Sequence, residues 1–122
     1  AAGSTYFVSI HCNGDASPAA RGCAGYYFQR SHYYSEHGRR LAAYVGARME
    51  AAGVPWLGGF GRNYGVLRET RGIALVVEPL FLTCPGDEAL ARRPEHVERL
   101  ARALVGGLAD YLARVPLESA GP

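Results

Sequence analysis

No stretch of this sequence is long and apolar enough to cross a bilayer. The strongest candidate, Ile73 to Val77 continued through Leu80, Phe81 and Leu82, is interrupted by Glu78 and Pro79 and falls far short of the roughly 20 residues a membrane span needs. The opening Ala1-Ala2-Gly3-Ser4-Thr5 lacks the basic start and apolar run of a secretory signal, so a targeting segment is expected upstream if there is one. Charge of one sign is scarce as well. The net charge is +2, and no Lys/Arg block interleaved with aromatics marks a nucleic-acid surface, so no nucleic-acid partner is expected.

Three cysteines, Cys12, Cys23 and Cys84, form no CxxC pair and cannot all bond to one another. That excludes a zinc ribbon or a disulfide scaffold and leaves buried free thiols as the ordinary reading. No serine sits in a GxSxG elbow. Cys12 beside His11 does not make a nucleophile and base, because neighbours on a strand point to opposite faces.

What is present is the make-up of one soluble globular domain: 122 residues, 48% hydrophobic and 20% charged. We place the domain at residues 1–115 and a tail at 116–122. Tyr6 to His11 reads as a buried strand running into a polar loop that starts at Asn13-Gly14-Asp15. Cys23 to Phe28 reads as a second strand. From Tyr33 the spacing turns helical, with Leu41, Val45 and Met49 at every fourth position, until Gly53 and Pro55 stop it. Residues 53 to 65 hold five glycines in thirteen positions without an apolar period and predict a loop. Tyr64 to Arg68 predicts a short strand. Ile73 to Glu78 is nearly continuous apolar sequence, as in a strand covered on both faces. Pro94 opens a helix whose apolar stripe is expected to be Val97, Leu100, Ala101, Leu104, Leu108 and Leu112, ending before Pro116. Strands alternating with helices predict an α/β domain with a mostly parallel twisted sheet and helices on both faces. Ligands of such sheets gather at the carboxyl ends of the strands, where His11 and Glu78 fall.

Glu78 closes the most apolar strand. Burial there would raise its pKa and make it a usable general base; equally, it could sit in an ion pair with Arg68 or Arg71. His11 closes the other apolar strand and suits a metal ligand or proton carrier, or merely a hydrogen-bonded histidine. His32 and His37 lie near a helix start, and His96 is expected on the exposed side of the last helix. Asp87, Glu88 and Glu95 fall in first turns, where acidic side chains complement the helix dipole.

Phe7-Val8-Ser9-Ile10-His11-Cys12-Asn13, then Ser35 with Leu41-Ala42, then Val66-Leu67-Arg68 and Val77-Glu78-Pro79-Leu80-Phe81-Leu82-Thr83, together resemble the zinc-dependent N-acetylmuramoyl-L-alanine amidase family. Asp87-Glu88-Ala89-Leu90 and the helix to Tyr111-Leu112 resemble the end of that catalytic domain. The resemblance implies the zinc amidase/phosphorylase-like fold with its N-terminal part absent. It implies an enzyme that hydrolyses the amide between the lactyl group of N-acetylmuramic acid and L-alanine in peptidoglycan. His11 would be a zinc ligand and Glu78 the catalytic carboxylate that moves the water's proton. Asn13 and Arg68, beside these two strands, would contact the stem peptide, or else serve as loop cap and ion-pair partner. The location implied is extracytoplasmic, in the cell envelope or secreted.

The chain departs from the family in two respects. Cys12 stands where the family usually has Ala and Cys84 where it often has Asn; on neighbouring strands the two thiols could approach as a disulfide. The family's other two zinc ligands, a His in a Gly-His-Gly type motif and a Glu, precede the Ser-Ile-His strand, and this sequence has only ten residues before His11. The expectation is therefore a truncated domain with a bare sheet edge prone to self-association. The alternative is a degenerate, non-catalytic amidase-like module that binds peptidoglycan or a partner.

Overall fold

The computed structural model describes residues 6–114; the segment 116–122, expected to be a tail, lies outside them. The elements are β1 (Tyr6–Ile10), β2 (Cys23–Arg30), β3 (Tyr33–Tyr34), α1 (Glu36–Ala51), β4 (Trp56–Arg62), α2 (Gly65–Arg68), β5 (Ile73–Glu78), α3 (Pro85–Ala91) and α4 (Pro94–Arg114). No helix among them is long and apolar enough to cross a membrane.

All six residues of β5 are buried, as its unbroken apolar run predicts. It pairs in parallel with β1 and antiparallel with β2. β2 then pairs in parallel with β4 and antiparallel with β3. The expected mostly parallel sheet is therefore corrected to a mixed one. Strand direction is not encoded in an apolar run; it follows from the connection, and the long loop after β1 returns the chain antiparallel to β5.

The two faces are covered unequally. Alternation along β5 sends Ile73, Leu75 and Val77 to one side, where they pack with Leu41, Val45 and Met49 of α1 and Leu100, Ala103 and Tyr111 of α4. Ala74 and Val76 go to the other side, where they meet Ala24, Tyr26 and Leu67. Leu67 belongs to α2, a helix of four residues, so the helices on that face amount to a single turn.

α1 starts at Glu36, later than its spacing from Tyr33 predicts, because Ser35 caps it: the Ser35 hydroxyl accepts from the Gly38 N–H at 3.0 Å. Tyr33 and Tyr34 are drawn into the sheet instead, opposite Arg30 and Gln29. The glycine-rich segment is likewise a strand, β4, against expectation. Pairing with β2 from Cys23 to Phe28 supplies what its propensity lacks, with a register irregularity between Cys23 and Ala24 and Gly58 at φ 131°. The predicted strand Tyr64 to Arg68 is instead α2. In α4 the buried stripe is His96, Leu100, Ala103, Gly107 and Tyr111, while Val97 and Leu112 are exposed. A Cβ on Gly107 would come within 2.5 Å of the Val45 Cα. Close approach of two backbones thus selects small residues for the crossing, and rotates the helix from the stripe its larger apolar residues suggest.

All three thiols are free, so Cys12 and Cys84 form no disulfide; Cys23 and Cys84 are buried, whereas Cys12 is exposed, contrary to the buried reading. Burial pushes the Cys23 thiol up to about 12, with the Asp87 charge adding to it.

Candidate active site

Parallel pairing of β1 and β5 brings both strand ends to one edge of the sheet. The register Ile10↔Val77 and the bond from the His11 N–H to the Val77 carbonyl, 3.2 Å, set His11 beside Glu78. Both side chains point to the face away from α1 and α4, and His11 Nδ1 lies 3.2 Å from Glu78 Oε2. The environments differ sharply: the His11 side chain is 53% exposed and that of Glu78 9%. Burial raises the Glu78 pKa from its ordinary value, opposed by the positive field of His11, by a hydrogen bond from Tyr26 and by Arg62. His11 Nδ1 also approaches the Cys12 carbonyl at 3.4 Å; in the tautomer protonated at Nδ1, the other ring nitrogen keeps its lone pair for a cation.

Glu78 thus has an ion-pair partner, and it is His11. Arg68 instead places its guanidinium on Asn63 Oδ1 at 3.2 Å and on Glu69 at 3.3 Å. Asn13 sits beside the site on an extension of β1. Its N–H donates to the Leu80 carbonyl at 2.7 Å and its carbonyl accepts from Leu82 at 3.0 Å, while its side-chain oxygen accepts from the Gly14 N–H at 2.8 Å.

Three further residues shape this edge; nothing in the sequence marks Tyr26 and Arg62, and Asp87 reads there only as a helix first-turn acid. Tyr26 lies on the same face as Glu78, because Ala24 is opposite Glu78 and Tyr26 opposite Val76. Burial and then the Glu78 charge push its phenol upward. Arg62 stacks over the rings of Tyr26 and Phe60, 5.3 and 5.6 Å from their centroids. Asp87 does more than complement a helix dipole: its buried carboxylate accepts from the Gly22 N–H at 2.9 Å and the Phe81 N–H at 3.0 Å. It therefore ties the start of β2 to the loop that follows Glu78. His96 is buried rather than exposed, with Nδ1 unpartnered among the described residues, and burial lowers its pKa.

Residues 1–110 match the family model of N-acetylmuramoyl-L-alanine amidases. The chain belongs to this family. Among curated relatives it is similar to LytH of Staphylococcus aureus, described as a "probable cell wall amidase": 30% identical over 108 residues, covering 88% of this chain and 35% of LytH. Among solved structures it resembles the N-acetylmuramoyl-L-alanine amidase of Clostridium difficile 630, with TM-score 0.82, 27% identity and coverage of 91% of this chain and 59% of that one. It also resembles the catalytic domain of the amidase CwlV from Bacillus (Paenibacillus) polymyxa, with TM-score 0.77, 28% identity and coverage of 88% and 57%. The chain therefore spans about a third of the curated relative's length and somewhat over half of these solved domains.

The donor set can be compared with what zinc requires. No group of three His, Cys, Asp or Glu side chains converges among the described residues, whereas catalytic zinc takes three protein ligands. His11 is a suitable donor in itself, exposed and with a carboxylate 3.2 Å from its Nδ1, but the described residues do not complete a zinc site.

Proposed function

We propose that this chain supplies the proton-transfer half of a peptidoglycan hydrolase. The bond cut is the amide between the lactyl group of N-acetylmuramic acid and L-alanine of the stem peptide. One observation carries the reading: in a member of this amidase family, a buried carboxylate with a raised pKa lies 3.2 Å from an exposed imidazole at the ends of two parallel strands.

Glu78 in its ionised form accepts a proton from the attacking water as the oxygen bonds to the amide carbon. It returns that proton to the amine nitrogen as the carbon–nitrogen bond breaks, so the carboxylate is regenerated. Its raised pKa brings it nearer to neutrality, where taking and giving a proton are both accessible. The surrounding apolar strand keeps bulk water from competing for the carboxylate. His11 orients Glu78 and is proposed as one zinc ligand. As the described residues do not complete the ligand set, no step is written through the metal. Asn13 and Arg68 are proposed to contact the stem peptide, Asn13 by its amide at the site edge and Arg68 by its charge on α2. An extracytoplasmic location is proposed with this activity, and the outer edge of β1, unpaired among the described residues, is proposed as its route to self-association.

The incomplete ligand set supports a second reading, an amidase-like module that binds peptidoglycan without cutting it. Release of stem peptides from purified cell wall separates the two. The Glu78→Gln protein should release them at least about 100-fold more slowly than the parent; equal rates would end the hydrolase mechanism.

A further inference from the structure

Arg62 is held in place and directed at the site, yet the reaction as derived makes no use of it. Opposite residues on paired strands project to the same side, and β4 pairs with β2 as Tyr26↔Phe60 and Phe28↔Arg62. The guanidinium lies over both Tyr26 and Phe60, cation–π contacts that favour this position of the side chain over others. One of its N–H groups donates to the Gly61 carbonyl at 2.8 Å. The guanidinium has five donors in all, and no carboxylate pairs with it among the described residues. Several other arginines also lack an acidic partner among the described residues; what sets Arg62 apart is that it lies over two aromatic rings on the face that carries Glu78.

We infer that Arg62, stacked on Tyr26 and Phe60 beside Glu78, is a carboxylate-binding subsite that selects substrates bearing a free carboxylate next to the bond at Glu78. Arg62 is exposed and lies against both rings, and the N–H donors it does not direct at Gly61 form a planar fork that matches a carboxylate. Tyr64, 5.7 Å from Tyr26 between ring centroids and partly exposed, supplies an apolar rim. Such a subsite also answers an electrostatic difficulty. A substrate carboxylate brought near ionised Glu78 is repelled, and the positive charge of Arg62, whose field already reaches Glu78, offsets that repulsion.

The inference relies on the amidase reading for the identity of the ligand, and its test reads binding rather than cleavage. The probes are N-acetylmuramoyl-L-alanyl-D-glutamic acid and its bis-amide, titrated by calorimetry into the 122-residue chain. The parent should prefer the acid. Arg62→Gln should weaken binding of the acid by about ten-fold or more and bring it level with the amide, with Arg62→Lys between the two because it keeps the charge and loses the fork. A parent that binds neither probe, or both equally, overturns the subsite. So does an Arg62→Gln protein that keeps the preference, including one that melts lower while keeping it, since that is the signature of a purely structural stack. The two readings fail separately: preference intact with Glu78-independent cleavage sinks the hydrolase alone, and Glu78-dependent cleavage without preference sinks the subsite alone.

Discussion

On the face of the sheet that carries α1 and α4, Leu75, Val77 and Ile73 meet Leu41, Val45 and Met49, and every one of these side chains is sealed from water. On the opposite face the sheet carries Glu78, His11, Tyr26 and Arg62, with the one-turn helix α2 packing its Leu67 beside Tyr26. The same alternation along each strand builds both surfaces. The first resembles the interior of a helical layer, with small residues at Ala103 and Gly107 where two helices cross. The second leaves one ring nitrogen, one buried carboxylate and one stacked cation within reach of a ligand. Apolar packing and ionisable groups are thus divided between the faces, with β5 supplying alternate residues to each.

That division is easiest to break at Leu75. It is fully buried on the helical face, so Leu75→Ala should cost about 2–5 kcal/mol in urea unfolding. Phe60→Ala, on the open face and 37% exposed, should cost less than half as much; equal costs would mean the open face is as much a core as the other. Asp87 tests the seam between the loops. Asp87→Ala leaves the Gly22 and Phe81 N–H groups without their acceptor and should cost about 2 kcal/mol, with faster hydrogen exchange at those two amides. Unchanged exchange there would show that the loops are held by something else.

The smallest effect sharpens the comparison most. Burial raises the Glu78 pKa in the folded protein, so between the unfolded and folded pKa values the native state binds more protons than the unfolded chain. Its contribution therefore turns unfavourable as pH rises through that window, and the penalty is complete above the folded pKa. Glu78→Gln should accordingly be more stable than the parent at neutral pH, the advantage shrinking as pH falls through the folded pKa. Thermal melts from pH 4 to 8 read this directly; an advantage that grew on acidification would mean that the ion pair with His11 outweighs burial.

Much of this was legible in residue order. β5 is unbroken apolar sequence, and an apolar run of that length bounded by polar residues has few alternatives to a buried strand. α1 and α4 carry a period of nearly four, and α4 opens on a proline. The motifs ending in His11 and Glu78 mark two strand ends and, through their resemblance, a chemistry. Other features depended on partners far along the chain. β4 is a strand because β2 lies beside it, despite three glycines in seven residues; Tyr64 to Arg68 turns into a helix where a strand was expected. His96 is buried because α4 rotates to bring Gly107 against Val45. Arg62 and Tyr26 were unmarked since their meaning lies in who stands opposite them. The sequence by itself determined which segments are apolar, where they end and which family they belong to, since these are properties of neighbours along the chain. Only the tertiary structure decided strand direction, which face each side chain takes, and that a histidine and a glutamate 67 residues apart meet at 3.2 Å, because register between distant strands is set by packing the whole sheet at once.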